Sequence, residues 1–278
     1  MKAARVAAAM ALCVIASGAL AGNPANPATA SDAYLKPHVR VGERITDVYS
    51  KSFSWSGKGL KGFVWRYSGA STSTVVAVTP EAIVSDEADR TDGQAPTPPA
   101  RAKVLADGNT HCYKGKCRID RETSGTFFIP LLWGHAPARV HAGSHWTVTI
   151  DKPWEIGPRG TELVQVVSTD PAHGEIMLVR HGTGSGVTQD ELRLMAQEHP
   201  IKITTSDGKK IAVTLHPGKA TWSGYTTVRR GVIVGDEIML TQQVQFVAKN
   251  GKAWNAELRV YTLLNLGGDE GSEAVLRS

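Results

Sequence analysis

The chain has 278 residues, 41% of them hydrophobic and 21% charged, a balance that excludes disorder of the whole chain. Lys and Arg number 31 against 26 Asp and Glu, a formal charge of +5 that is too small and too scattered to point to nucleic acid. The length allows one large all-β domain or two smaller units, and of the eighteen aromatic residues seven are tryptophan.

The first 21 residues read as a secretory signal peptide: Lys2 and Arg5 form a basic start, Val6 to Ala16 is an apolar run, and Ala19-Leu20-Ala21 precedes Gly22 as a small-x-small cleavage site. Cys13 follows Leu12 where a lipoprotein signal wants a small residue, so cleavage near Ala21 is expected to release a chain without a lipid anchor into the periplasm or medium. Removal of those residues leaves 257 and lowers the charge to +3. No other segment approaches the roughly 18 apolar residues that a membrane-spanning helix needs.

A flexible lead is expected over 22–38, an N-terminal β segment over 39–85, and an acidic, Pro-rich linker or loop over 86–103, centred on Asp86 to Pro99. The main β domain follows over 104–266 and a loose tail over 267–278. Early in the β part, Trp55 introduces Gly57-x-Gly59-x-x-Gly62, which matches dinucleotide and kinase glycine loops as a bare string. The segment after it, Phe63 to Tyr67, is strand material, and no kinase motif follows, so a glycine-rich hairpin turn is the reading. Trp55 with its glycine turn and two strands is echoed by Trp154, Gly157 and Gly160 with theirs, which raises a duplication of 55–84 in 154–179.

Cys112 and Cys117 are the two cysteines left after signal removal, and Tyr113-Lys114-Gly115-Lys116 between them reads as a Gly-containing hairpin turn. A local disulfide is expected. A zinc site using His111 with both thiolates lacks a fourth ligand nearby, so no metal is assigned.

Period-two patterning governs the rest. From Arg139 to Asp151, Val140, Ala142, Trp146, Val148 and Ile150 share one face, and His141, His145, Thr147 and Thr149 the other. His141 and His145 lie about 13 Å apart along such a strand, too far for one metal. Thr161 to Thr169 and Glu175 to Arg180 are strands separated by a turn at Asp170 to Gly174. One helix is expected near 188–198, where Thr188 and Glu191 form a capping box and Leu192, Met195 and Ala196 share a face.

Parity sets the C-terminal hairpins. The loop Ser206-Asp207-Gly208 pairs Ile203 with Ile211 and Ile201 with Val213; an odd loop centred on Gly251 pairs Val244 with Leu258, Phe246 with Ala256 and Ala248 with Trp254. The fold class is therefore mainly β, an antiparallel meander forming a curved sheet, half-barrel or sandwich.

The strings Thr123-Ser124-Gly125 through Leu131-Leu132-Trp133-Gly134, Trp146-Thr147-Val148, Pro153-Trp154-Glu155-x-Gly157-x-x-Gly160 and Tyr261-Thr262-Leu263-Leu264-Asn265 resemble uncharacterised secreted bacterial β-rich proteins, which carry no assigned activity. In architecture alone the reading is similar to the half-barrel of periplasmic lipoprotein carriers, which implies an incomplete barrel over an apolar cavity.

No catalytic constellation is visible: Ser185 lacks the spacing of a nucleophile elbow, and Ser206-x-x-Lys209 sits in a turn. The functional expectation is a non-enzymatic envelope protein, without cofactor, that binds an apolar small molecule, a lipid or another envelope protein. Trp133, Trp146, Trp154, Trp222 and Trp254 are its candidate lining. The alternatives are a hydrolase or other enzyme with scattered groups such as His141, His145 or Asp236, and a structural or adhesive module.

Overall fold

The computed structural model describes residues 35–121, 126–127, 129–135, 137, 140–188 and 200–266. The expected signal peptide, most of the lead, the body of the helix near 188–198 and the tail lie outside these residues. Within them, alternation of apolar and polar side chains produces thirteen strands. These are β1 (Arg44–Ser56), β2 (Phe63–Val78), β3 (Ala82–Thr91), β4 (Ala100–Leu105), β5 (Thr110–Tyr113), β6 (Lys116–Ile119), β7 (His145–Ile150), β8 (Gly160–Asp170), β9 (Glu175–Ser185), β10 (Ile201–Thr204), β11 (Lys210–Arg229), β12 (Val232–Ala248) and β13 (Ala253–Leu266).

All belong to one antiparallel sheet, curved and not closed, in the order β6-β5-β4-β3-β2-β1-β13-β12-β11-β9-β8-β7, with β10 on the free half of β11. Nearly every neighbour is also a neighbour in sequence. The exception that matters is β1 against β13, which pairs Phe53 with Val260 and Trp55 with Leu258. That pairing makes the N-terminal segment part of the same sheet as the C-terminal meander. The expected linker over 86–103 is largely strand: β3 continues to Thr91 and β4 starts at Ala100, which confines the loop to 92–99. Acidic residues tolerate that strand because Asp86 pairs across it with Arg101, 2.7 Å away.

The inward face of β8, β9 and β11–β13 follows the alternation closely, burying Val164, Leu178, Trp222, Leu240, Phe246, Trp254 and Val260 in one cluster with Phe53 and Trp55. The outward face carries a row of threonines in register, Thr149, Thr161, Thr183, Thr221 and Thr241, β-branched side chains that suit a wet pleated surface. β7 starts at His145, later than the sequence suggests, because Gly143 at φ 90° turns the chain just before it.

Both hairpin parities hold. Ile203 faces Ile211 and Ile201 faces Val213 as expected. The last hairpin keeps its parity but sits two residues away in register: Val244 faces Ala256 and Phe246 faces Trp254. Its loop is Lys249-Asn250-Gly251, closed by Gly251 N–H to Ala248 O at 2.9 Å and Ala248 N–H to Lys252 O at 2.8 Å. Gly251, at φ 82°, is the last loop residue, the left-handed position of a three-residue hairpin, and not its centre.

One short helix is present among the described residues, α1 (Pro130–Trp133), started by Pro130 at its first position and ended at Gly134. It drives Leu132 and Trp133 into the core. Gly134 passes so close to β7 that a Cβ there would lie 2.7 Å from Val148.

Candidate functional site

The concave face of the sheet has three zones. The first is a sealed aromatic and ionic cluster. Inward positions on adjacent strands place Glu162 of β8 and Arg180 of β9 together, with Arg180 Nε and Nη2 donating to the two Glu162 oxygens at 2.9 and 3.2 Å. Such a two-point fork is the strong form of the pair. Trp222 Nε1 donates to Glu162 at 2.5 Å, and the Arg180 guanidinium lies 4.6 Å from the Trp133 ring centre and 5.8 Å from that of Trp154. Thr226 accepts from Trp133 Nε1 at 3.2 Å and donates to Asp236 at 2.5 Å; Asp236 sits 3.7 Å from Arg180 Nη1. Burial pushes the Asp236 carboxyl up to about 7, opposed by Arg180 and Thr226 and assisted by Glu162 and Glu155.

Glycines seat these rings. A Cβ on Gly182 would lie 2.0 Å from the Trp222 indole, and one on Gly157 2.1 Å from that of Trp154. Beside this cluster Lys51 and Glu155 form a second buried pair at 3.1 Å. With the Arg180, Glu162 and Asp236 side chains at most 2% exposed, a substrate has no access to the cluster.

The second zone is a polar cleft of about 470 Å³ between β2–β6 and the crossing residues Thr126, Phe127 and Ile129. His111 lies in it with Nε2 3.6 Å from Glu87 and Nδ1 3.9 Å from Asp120, ion-pair distances slightly long for hydrogen bonds. Glu87 raises the imidazole above its ordinary value against the effect of burial; Asp120 adds to the rise and Arg118 opposes it. Beneath the cleft, Asp47 accepts from Thr126 at 2.8 Å. Burial holds its carboxyl up at about 7, with Thr126 lowering it and Glu87 raising it. Cys112 and Cys117 are directly paired across β5 and β6 and joined by a disulfide. The bond staples the hairpin that carries His111 and Arg118.

The third zone is an aromatic ledge on β2. Phe63, Trp65 and Tyr67 alternate onto the concave side opposite Trp55, Phe53 and Lys51 of β1. Trp55 and Phe63 stack at 4.0 Å, Trp65 and Tyr67 lie 5.1 Å apart, and Tyr67 and Tyr49 5.6 Å. Yet Phe63 is 37% and Trp65 47% exposed. The cause is topological: β3 ends at Thr91 opposite Gly69, so no described strand flanks β2 from Phe63 to Ser68 on its far side.

The tryptophans nominated from sequence lie elsewhere. Trp133, Trp154 and Trp222 meet in the sealed cluster, Trp146 is partly buried and donates to Trp133 O at 2.6 Å, and Trp254 packs opposite Phe246 beneath Lys252. Trp65, which the sequence reading passed over, is the half-exposed one. His141, in the turn before β7, and His145, the first residue of β7, are exposed and hydrogen-bond to the Ala142 and Gly143 carbonyls respectively. They do not meet Asp236, which is buried in the first zone. Among the described residues, no group of three or more His, Cys, Asp or Glu is placed to hold a metal, and no helix is long and apolar enough to cross a membrane.

No known protein family matches the chain, and no curated protein does. Solved structures that align with it weakly include the following two. A loop-deletion mutant of OmpT, an outer membrane protein of Vibrio cholerae, has a TM-score of 0.23 and 11% identity over 82% of this chain and 100% of that one. A DUF1329 family protein from Desulfovibrio piger has a TM-score of 0.18 and 10% identity over 83% of this chain and 88% of that one. Likenesses of this size carry no argument about fold or function.

Proposed function

We propose that the chain is an exported, non-enzymatic binding protein that seats the apolar part of a ligand or envelope partner on the Phe63–Trp65–Tyr67 ledge. The observation that carries this reading is the exposure of Trp65 and Phe63 on the core side of the sheet, beside buried Phe53 and Trp55. Each large apolar side chain left in water forgoes roughly 1.5–3 kcal/mol, and a ligand covering the ledge recovers it. Export is supported by the sequence start and by the Cys112–Cys117 disulfide, a bond that persists in oxidising compartments. The test is titration with an environment-sensitive apolar dye. Saturable binding that Trp65→Ala and Phe63→Ala abolish without changing the denaturation midpoint supports the proposal. Absence of dye binding, or binding indifferent to both substitutions, overturns it.

A second reading rests on the polar cleft, where His111 stands between two carboxylates next to Tyr113, Ser71 and Ser73. An imidazole held between carboxylates that favour its protonated form is suited to protonating a leaving group. Turnover of a chromogenic ester panel that His111→Gln eliminates is the result that favours it over binding alone.

A further inference from the structure

The open half of β2 offers more than an apolar surface. Ser68 O accepts from Asp92 N–H on the β3 side at 3.0 Å, so Ser68 turns its carbonyl away from β1. Backbone direction alternates along a strand, so Arg66 and Val64 turn both their N–H and C=O groups the same way. Past the end of β3 no described strand meets them. Among the described residues the segment therefore joins a ladder edge that no strand pairs to a half-exposed aromatic row.

Charge narrows the choice of occupant. Between Gly57 and Ser68 the chain carries Lys58, Lys61 and Arg66, all exposed, and no acidic residue. Arg66 lies on the face opposite the aromatic row. A strand laid along this edge would meet aromatics on one face and a cation on the other, with two more cations toward its end. We infer that the edge of β2 from Val64 to Arg66 receives an extended acidic polypeptide segment as an added strand. Its alternate apolar side chains would lie on Trp65 and Phe63 and its carboxylates beside Arg66 and Lys61. This inference rests on the ledge being the binding surface and names the partner for it.

The probe is an eight-residue capped peptide alternating Val and Glu, compared with the same composition in two blocks, with an alternating Val and Lys peptide, and with an alternating Val and Glu peptide N-methylated at every second amide. Binding is followed by tryptophan fluorescence, and hydrogen exchange is read at the Val64 and Arg66 amides. The alternating acidic peptide should bind, protect both amides, and weaken as salt rises through the range in which the Debye length shrinks. Trp65→Ala should weaken it at least ~10-fold, as for an interface anchor, and the exposed double substitution Lys61→Glu with Arg66→Glu should transfer preference to the Lys peptide.

Equal binding of the block or N-methylated peptide, or binding without amide protection, overturns strand addition. So does concentration-dependent dimerisation that protects the same amides and is not displaced by peptide, because the occupant is then a second copy. If the apolar dye binds in a Trp65-dependent way and the peptide does not, strand addition fails while the ledge reading stands. If neither binds, both fail.

Discussion

Stability should be greater on the acid side of neutrality, and the structure fixes the sign. Asp236 and Asp47 have carboxyls raised from 3.8 to about 7. The folded state therefore holds protons that the unfolded chain has already released, and stability falls as pH rises through the interval between those values. One pKa unit is worth about 1.4 kcal/mol. Between pH 5 and pH 8 each aspartate crosses about two units of that interval, a loss of somewhat under ~3 kcal/mol apiece and about 5–6 for both. His111 acts in the same direction: its raised folded value contributes stability below the unfolded value of 6.5 that is lost as pH rises through the folded one. Asp107, Asp170 and Asp207 are lowered, Asp207 chiefly by Lys209, and their contribution is lost in the opposite direction, as pH falls below the ordinary carboxylate range. Maximum stability is thus expected near pH 4, at the lower end of that interval. Urea denaturation at pH 5 and pH 8 measures the difference, and Asp236→Asn, which keeps an oxygen for Thr226, should remove about half of it. Equal or greater stability at pH 8, or an Asp236→Asn variant with the wild-type slope, would refute the assignment of protonated carboxyls to the interior.

Arg180→Met should destabilise by about 3–5 kcal/mol because it leaves Glu162 buried without its cation; pairing it with Glu162→Leu should restore part of the loss, and a chemical-denaturation midpoint unmoved by the single change would sink the account of the cluster. Gly182→Ala should cost at least ~1–3 kcal/mol, since the new methyl would overlap the Trp222 ring, with near-ultraviolet circular dichroism reporting the displaced indole. Trp254→Ala should cost about 3–5 kcal/mol as a buried indole opposite Phe246, and an unchanged midpoint would contradict its burial. Reducing Cys112–Cys117 should lower stability by ~2 kcal/mol and raise exchange in β5 and β6 while amides of β11–β13 stay protected; global unfolding on reduction would show that the hairpin is not a local unit.

Local periodicity made the strands legible, because a half-buried strand must alternate and a loop need not. The hairpin loops were legible too, and the register error at the last one has a local cause. Ser206-Asp207-Gly208 ends in its left-handed glycine at φ 85°, and applying that same placement to Gly251 gives Lys249-Asn250-Gly251 and the observed pairing. The pairing of β1 with β13 had no such signal, since the partners lie some two hundred residues apart and only the completed sheet brings them together. The ionic cluster did leave a trace. Glu162 and Arg180 occupy inward phases of two neighbouring strands with opposite charge, a pattern that alternation exposes once the charged residues are kept in the count. The number of tryptophans correctly signals a heavy core, but which indole remains in water depends on where β3 stops, a property of residues 91–99 and not of Trp65.

Along β2 the concave-facing residues run Phe63, Trp65, Tyr67, Gly69, Ser71, Ser73, and the change from aromatic to small and polar falls at Gly69. A Cβ at that position would lie 2.5 Å from the Tyr49 hydroxyl, so the Tyr49 ring lies over the changeover. Coverage by β3 also begins there, at Gly69 opposite Thr91. Ordinary burial would place the aromatics under the covered half and the serines in the open. The arrangement is the reverse, with the flanked stretch lined by small polar groups over the cleft and the unflanked stretch lined by rings. Natural sheets blunt an open edge with charge, proline or short length. Here Arg66 supplies charge on one face, with Lys61 just before the strand, while the other face keeps three aromatics in a row. Protection against indiscriminate pairing would be better served by polar residues at 63, 65 and 67 as well. That combination fits the acidic strand proposed above: the cations repel basic chains, and the aromatics reward the apolar face of an acidic one.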